Sequence, residues 1–373
     1  MEQLNRLKHR ILTEGQDVVY RKGQVRRTLL GCMERFDLRN GNLPVETCRK
    51  PMIRGAIAEL LWFLSGSTNI TELKALAGYD LGIWDEWANE EGSIGPMYGA
   101  QWRDFGGMTL AGPEGGLEII DGVDQIKRLI TNIQERPYST DHIVSAWSPA
   151  HSPDPKKSYA QNVNEGRGAL NPCHTLFQVH LTPIPFKERM MLWHDSDRYG
   201  AVEAMMCIAP GYYEGFNHRP FEFIVDSLES NKVALSEFRS LPTTIDYSVL
   251  RALLMEAATL ADMPQNYLSL QLYQRSCDVP IGGPVNVTCY SLLAHLLAHC
   301  TGNMAREFIW NIGNAHIYHQ HLEEVRELLA NTPLPTPQVF LNPDKKNIFE
   351  FTPLDIQLIN LKHHAAHRFT VIS

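Results

Sequence analysis

Leu170-Asn171-Pro172-Cys173-His174-Thr175-Leu176-Phe177-Gln178-Val179-His180-Leu181 sets a cysteine directly after a proline, at the mouth of a run rich in β-branched and aromatic residues. Such a run reads as a strand, and it fixes the thiol at a strand edge, where a nucleophile would sit. A buried structural thiol is the competing reading, because free cysteine is among the most buried residue types. A second run, Leu268-Ser269-Leu270-Gln271-Leu272-Tyr273-Gln274-Arg275-Ser276-Cys277-Asp278, is again strand-like. It ends in a cluster able to bind an anion and lower a thiol pKa. We read the two runs as neighbours that together form an active site.

The rest of the chain is compatible with that reading. With 373 residues, 44% hydrophobic and 20% charged, it is long enough for one large or two ordinary packed domains, and its composition argues against disorder. A formal net charge of -8 and a pI near 6.0 argue against a nucleic-acid-coating protein, while leaving room for a local basic pocket that takes one phosphate. Seven cysteines with no CxxC pair suit a reducing compartment and free thiols. Leu4, Leu7, Ile11 and Leu12 share one helical face, so the N-terminus reads as an amphipathic helix rather than a signal peptide. No run approaches the roughly 18 apolar residues of a membrane helix. The expectation is a soluble cytoplasmic protein, in the host cytoplasm if the chain is viral.

Working outward, the segment from Val18 to Leu38 reads as a basic loop leading into a strand; Arg21 is either an anion ligand or part of a solvated basic turn. The spacing predicts a helix from Ile53 to Leu64, apolar nearly all round, with Glu59 among Gly55, Ala56, Trp62 and Phe63. Burial would raise that carboxyl's pKa and suit it to proton transfer near neutral pH; a structural Glu satisfied by Arg54 is the alternative. Trp84, Trp87, Tyr98 and Trp102 lie close together in sequence, as core or as a platform for a flat ligand. A helix is expected over Asp121–Glu135, a strand over Ile143–Trp147 and a polar loop from Ser148 to Gly168 carrying Lys156, Lys157 and Arg167.

About 85 residues, Thr182 to Tyr267, separate the two opening runs, too many for a hairpin connection, so they read as an inserted subdomain with a helix from Tyr247 to Ala261. The catalytic domain is then 1–181 with 268–373, and the insertion 182–267. The turn at Gly282-Gly283-Pro284-Val285-Asn286 introduces a helix from Val287 to His299, with Asn286 at its entrance as a possible cap. A further helix is expected from near Asn314-Ala315-His316-Ile317-Tyr318 to about Ala330.

Taken together, Glu59-Leu60-Leu61-Trp62-Phe63-Leu64, Ile83-Trp84-Asp85-Glu86-Trp87, Gly95-Pro96-Met97-Tyr98-Gly99, Pro172-Cys173-His174, Gln271 to Asp278, Pro284-Val285-Asn286 and His316-Ile317-Tyr318 resemble the thymidylate synthase family, in the family's order. The resemblance implies an α/β (α+β) fold on a large mixed sheet flanked by helices and a homodimer formed through the sheet face. It also implies transfer of a one-carbon unit from 5,10-methylenetetrahydrofolate to C5 of a pyrimidine nucleoside monophosphate, with no metal. Carried over, Cys173 is the nucleophile adding to C6, and Arg275 favours its thiolate. Glu59 and Tyr98 handle protons. Arg21, Arg275 and Ser276 match phosphate ligands, with Gln274 beside them; His316 and Tyr318 match sugar-site groups. Trp84, Trp87, Asp278 and Gly282 match folate-site positions. Asn286 matches the residue that reads the base, donating to O4 and accepting from N3–H of uracil, whereas related cytidylate hydroxymethylases use Asp.

Two departures bear on the outcome. Where the family carries consecutive arginines that reach the partner subunit's phosphate, this chain has Thr140-Asp141-His142, with Arg136, the 148–168 loop or the insertion as substitutes. The family's Tyr-x-Pro-His-Pro signature and apolar closing tail are replaced by Asn360-Leu361-Lys362-His363-His364 and Thr370-Val371-Ile372-Ser373. A looser closure would admit water, which favours a deoxyuridylate hydroxymethylase, like those that serve DNA hypermodification, over a thymidylate synthase. The retained Trp84 favours the synthase. A CMP or dCMP hydroxymethylase, a nucleotide-binding homologue without catalysis, and a metalloprotein using His316, His319 and His321 or His363, His364 and His367 complete the alternatives.

Overall fold

The structure, a computed structural model, describes residues 1–20, 23–111, 117–186, 188–189, 192, 252, 255, 259, 263–367 and 369, with backbone alone for the described residues between 108 and 120. Its centre is a seven-stranded mixed sheet with the order β1-β2-β9-β7-β6-β5 and a short β8 alongside β9. These strands are β1 (Gln16–Val19), β2 (Val25–Asp37), β5 (Ile143–Ser145), β6 (His174–Pro183), β7 (Asn266–Gln274), β8 (Cys277–Asp278) and β9 (Met304–Tyr318); β3 (Met108–Ala111) and β4 (Leu117–Ile120) form a separate hairpin. The two runs expected to be neighbours are β6 and β7, adjacent in the sheet.

Helices α1 (Glu2–Glu14), α2 (Ile53–Ser65), α3 (Ile70–Ala77), α4 (Gly99–Arg103), α5 (Gln125–Glu135) and α6 (Tyr159–Asn164) precede β6. Helix α2 is buried at every position from Gly55 to Leu64 and ends at Gly66, whose φ of 82° supplies a left-handed cap. The helix α7 (Gly282–Cys300) is equally apolar and packs against α2, with Cys289 Sγ 3.1 Å from the Ala56 carbonyl and Thr288 Oγ1 donating to Pro44 O at 2.9 Å. Hydrophobicity all round a helix means burial on all sides, and both helices fill the core. A short helix α8 (Leu322–Leu329) and a hairpin of β10 (Gln338–Leu341) with β11 (Ile356–Ile359) follow.

Two expectations change here. The helix expected from Asn314 begins only at Leu322, and residues 304–318 form the long strand β9. Phe308, Trp310 and Ile312 alternate inward before Gly313, and Ala315 and Ile317 do so after it; the change of parity, with the polar Asn311, Asn314 and His316, hides the period of two in the sequence. Asn286 is not a cap: α7 starts at Gly282 and Asn286 lies buried in its second turn. The 148–168 loop contains α6 and a 3-10 turn at Pro149–His151. The helix expected over 247–261 lies outside the described residues except for 252, 255 and 259, which are helical.

A kink re-aims β2 and β9. Pairs Leu30 with Asn314 and Cys32 with Ile312 flank Gly31 and Gly313, and Gly31 has φ 64°. Beyond it Cys32, Glu34 and Phe36 are buried; before it Leu29 packs on the core, so the inward face changes from even to odd positions. Ala315 and Ile317 turn inward in the same way, and His316 and Tyr318 take the other face.

The chain divides into two compact units: residues 1–181, 268–301 and 305–373, and residues 182–267 with 302–304. Within the second, Arg189 is 1% exposed and donates to the carbonyls of Met255, Met263 and Pro264 at 2.9–3.0 Å and to Thr259 Oγ1 at 3.1 Å. A guanidinium so satisfied is a staple for that unit.

Candidate active site

Every candidate residue that the structure describes lies in the first unit. Cys173 immediately precedes β6 and is partly accessible. Arg275, at the end of β7, grips the turn that carries it. The Arg275 N–H donates to Cys173 O at 2.9 Å, Nε to Pro172 O at 2.9 Å and Nη2 to Asn171 O at 2.6 Å, and Nη2 stands 3.8 Å from Cys173 Sγ. The fork of a guanidinium is suited to bridging such acceptors. Gly313 makes room for this arrangement, since a Cβ there would come within 2.9 Å of both Arg275 O and the Tyr273 hydroxyl. Burial pushes the Cys173 thiol up, and the Arg275 charge only partly pulls it back. The guanidinium expected to lower the thiol pKa is therefore in place, but in the free protein burial outweighs it.

Tyr98 approaches from the other side, its Oη accepting the Cys173 N–H at 2.9 Å. Its backbone has φ 38°, a conformation that costs a non-glycine residue about 1–3 kcal/mol and occurs mostly where a site over-determines it. The ring stacks on Phe63 (4.8 Å) and meets the edge of Trp84 (5.8 Å). Burial, reinforced by Cys173, raises the Tyr98 pKa, so the phenol stays protonated at neutral pH.

Glu59 is buried on α2, where Trp84 Nε1 donates to it at 3.4 Å; this contact, rather than Arg54, is its partner. Burial raises its pKa to about 7. Trp84 packs edge-on against the half-buried Trp87, 5.2 Å between centroids. The aromatic belt is thus both core and site wall.

Asn286 bonds the buried His174, whose pKa burial lowers to about 4, so the imidazole is neutral. His174 was not singled out from the sequence; its position next to Cys173 was the available signal. Asp278 has its pKa raised to about 7 by burial, and its Oδ1 is buried without a partner among the described residues. Gln274 is fully engaged within the fold: Nε2 donates to Ser276 O at 3.1 Å and Oε1 accepts from Trp310 Nε1 at 2.8 Å. It is a brace for the Arg275-Ser276 turn, and Ser276 itself is half-buried. Gly282 opens α7, where an added Cβ would sit in ordinary contact, 3.6 Å from Asn286 Nδ2. His316 contacts Asn314 Oδ1 at 3.0 Å and meets Tyr318 edge-on at 5.3 Å; burial, then the Arg26 charge, lowers its pKa to about 4. Arg21 lies outside the described residues.

Among the described residues, no three His, Cys, Asp or Glu side chains are arranged to hold a metal ion, and no helix is long and apolar enough to cross a membrane. His319 instead faces Asp17 at 2.9 Å and His364 contacts Thr332 O at 2.9 Å. One pocket of about 270 Å³ lies elsewhere, beside Arg128 and His142, away from Cys173.

A partly accessible thiol beside a guanidinium, a buried acid near neutrality, an amide able to read a heterocycle edge and a neutral histidine make a site for addition to an electrophilic ring with proton transfer. The thymidylate synthase family model matches residues 2–195 and 239–373. The thymidylate synthase of Francisella philomiragia subsp. philomiragia is 32% identical over 365 residues, covering 98% of this chain and 97% of the relative. The matches, with a mixed sheet that seats Cys173 beside Arg275, establish that this chain belongs to the thymidylate synthase family.

Proposed function

We propose that this chain transfers a one-carbon unit from 5,10-methylenetetrahydrofolate to C5 of dUMP, and that water completes the reaction to give 5-hydroxymethyl-dUMP and tetrahydrofolate. The observation that carries the proposal is the convergence of Arg275 and Tyr98 on Cys173. Cys173 adds to C6 of the uracil ring, which makes C5 nucleophilic. Arg275 stabilises the thiolate, and the nucleotide, by displacing water from around the pair, strengthens that attraction. Asn286 donates to O4 and accepts from N3–H, with neutral His174 orienting its amide. Glu59, poised near pH 7, moves a proton at the O4 side of the ring, and Tyr98 assists removal of the C5 proton.

The folate supplies the one-carbon unit when bound. A flat heterocycle suits the site, because Trp87 offers a half-buried ring and Asp278, protonated near neutrality with Oδ1 unpartnered, offers an uncharged donor and acceptor. Support for the water step comes from the C-terminal segment. Its Asn360-Leu361-Lys362-His363-His364 carries polar residues where the family has its closing signature, and a polar closing segment admits water. Thymidylate synthase, with hydride in place of water, is the second reading; Trp84 packed against Tyr98 and the curated relative favour it. The 182–267 unit belongs to this reading as an insertion into the catalytic domain, and the family match breaks inside it, at 196–238. A homodimer through the sheet face completes it, supported by the exposed Leu30 and Met33 on β2.

Mass analysis of products from dUMP and methylenetetrahydrofolate tests the proposal. Hydroxymethyl-dUMP with tetrahydrofolate is expected, and Cys173→Ala is expected to abolish it. Formation of dTMP with dihydrofolate overturns the water step and leaves the transfer; no product from dUMP or dCMP overturns the catalytic reading. Asn286→Asp is expected to shift preference toward dCMP by about tenfold or more; an unchanged preference removes the base-reading role.

A further inference from the structure

Register puts four polar side chains on one face of the sheet, on the Leu29 side of the Gly31 kink. Arg26 pairs with Tyr318 and Thr28 with His316. The alternate positions Leu29, Ala315 and Ile317 pack into the core, so Arg26 and Thr28 share the face of His316 and Tyr318. On the far side of β9, Asp278 pairs with His316, which joins this patch to the Arg275-Ser276 turn.

The patch is incompletely satisfied. Arg26 Nε and Thr28 Oγ1 are both buried without a hydrogen-bond partner among the described residues. Thr28 is 7% exposed. Arg27 next in sequence is bidentate to Asp17 at 2.8 and 3.0 Å, whereas Arg26 has its Cζ over the Tyr20 ring, 4.0 Å from its centroid, and has no ion pair with a carboxylate among the described residues. A guanidinium held in place by an aromatic face, with its own Nε dry and unpaired, is preorganised for a bidentate anion. A hydroxyl beside it adds a donor.

Most of the cations that the sequence offered as substitutes for the absent arginine pair are engaged. Arg136 pairs with Asp141 at 3.3 Å, Lys157 with Glu165 at 2.6 Å, and Arg167 donates to Ser152 O at 3.1 Å.

We propose that Arg26, assisted by the Thr28 hydroxyl, is a phosphate ligand of the nucleotide site. The inference rests on the reading of the site as one for a nucleoside monophosphate. Two anions share the chemistry that the patch recognises: the nucleotide phosphate, to which we assign it, and the glutamate carboxylates of a folate.

The test compares wild type with Arg26→Gln and Arg26→Lys, titrated with dUMP and with deoxyuridine, which lacks the phosphate. Arg26→Gln is expected to weaken dUMP binding about ten- to a hundredfold, the range for losing a charge-assisted contact, and to leave deoxyuridine binding unchanged. The KM for dUMP rises while kcat and the KM for methylenetetrahydrofolate stay close to wild type. The slope of log Kd against log salt becomes shallower, and Arg26→Lys, which keeps the charge but loses the fork, recovers part of the affinity. Unchanged melting temperatures verify that the variants fold. Equal dUMP binding by wild type and Arg26→Gln, an equal loss for dUMP and deoxyuridine, or a rise confined to the folate KM each overturn the assignment while leaving the reaction intact. Wild type that binds dUMP no better than deoxyuridine overturns the nucleotide reading as well.

Discussion

Glu46 and Glu59 are both buried, at 2% and 5% exposure, yet their carboxyls are driven in opposite directions. Burial pushes Glu46 up, but Lys8 from α1 and Arg49, whose Nε lies 2.6 Å away, outweigh it and hold the carboxyl below its ordinary range. Glu59 has burial and one indole N–H, and its pKa rises to about 7. The first acid is charged at neutral pH and clamps α1 to the segment leading to α2; Arg49 extends the clamp to Pro280 O and the Phe369 ring. The second can gain and lose a proton at physiological pH. Burial alone therefore does not mark a functional acid; burial without a cation does.

Replacing Glu59 should break the contrast most severely. Glu59→Gln keeps shape and the acceptor for Trp84 but not the exchangeable proton, and is expected to lower kcat about 10²- to 10⁴-fold in steady-state assays. Near-wild-type turnover would remove Glu59 from the proton pathway. At the other acid, Lys8→Met leaves Glu46 with Arg49 alone and should cost about 3 kcal/mol or more in urea unfolding, with kcat of the folded protein little changed. A loss of activity without a loss of stability would reverse the two roles.

The pH dependence separates the pair next. Glu59 has a folded pKa above its unfolded one, so its contribution destabilises the fold as pH rises from about 4.5 to 7 and is constant above that. Glu59→Gln should therefore gain stability over wild type through this window, up to about 3 kcal/mol at pH 8, with no gain below pH 4. Glu46, with a depressed folded pKa, contributes stability that is present above its unfolded value and lost as pH falls through the folded one. Matched unfolding curves at pH 4, 6 and 8 read both signs. The smallest effect is expected for Arg49→Lys, which keeps the charge near Glu46 but loses the second arm to Pro280, at about 1 kcal/mol by thermal or urea denaturation.

Glu59 was legible in the sequence because its i±3 and i±4 neighbours are apolar, and its burial followed from that spacing. Glu46 was not, because Lys8 lies 38 positions away and no local pattern links them. The same distinction runs through the site. Cys173 at a strand edge and Arg275 just past the end of the neighbouring strand were both readable from strand-like runs, and the ordered motifs pointed to the family. Strand β9 was not, since its polar positions masked its period, and His316 and Tyr318 were consequently assigned to a helix. Arg26 was not singled out from the basic segment, because on the chain it is one of several arginines and lysines; only the kink at Gly31 gives it a face.

The sequence by itself determined the family and the apolar helices and pointed to Cys173 as the candidate nucleophile, because these depend on residue types at short, regular spacings and on motifs in a fixed order. Tertiary structure decided which charges are answered and which are not: Lys8 and Arg49 around Glu46, no cation at Glu59, Asp17 for Arg27 and an aromatic face for Arg26. Electrostatic character depends on distances through space and on exclusion of water, and neither is a local property of the chain.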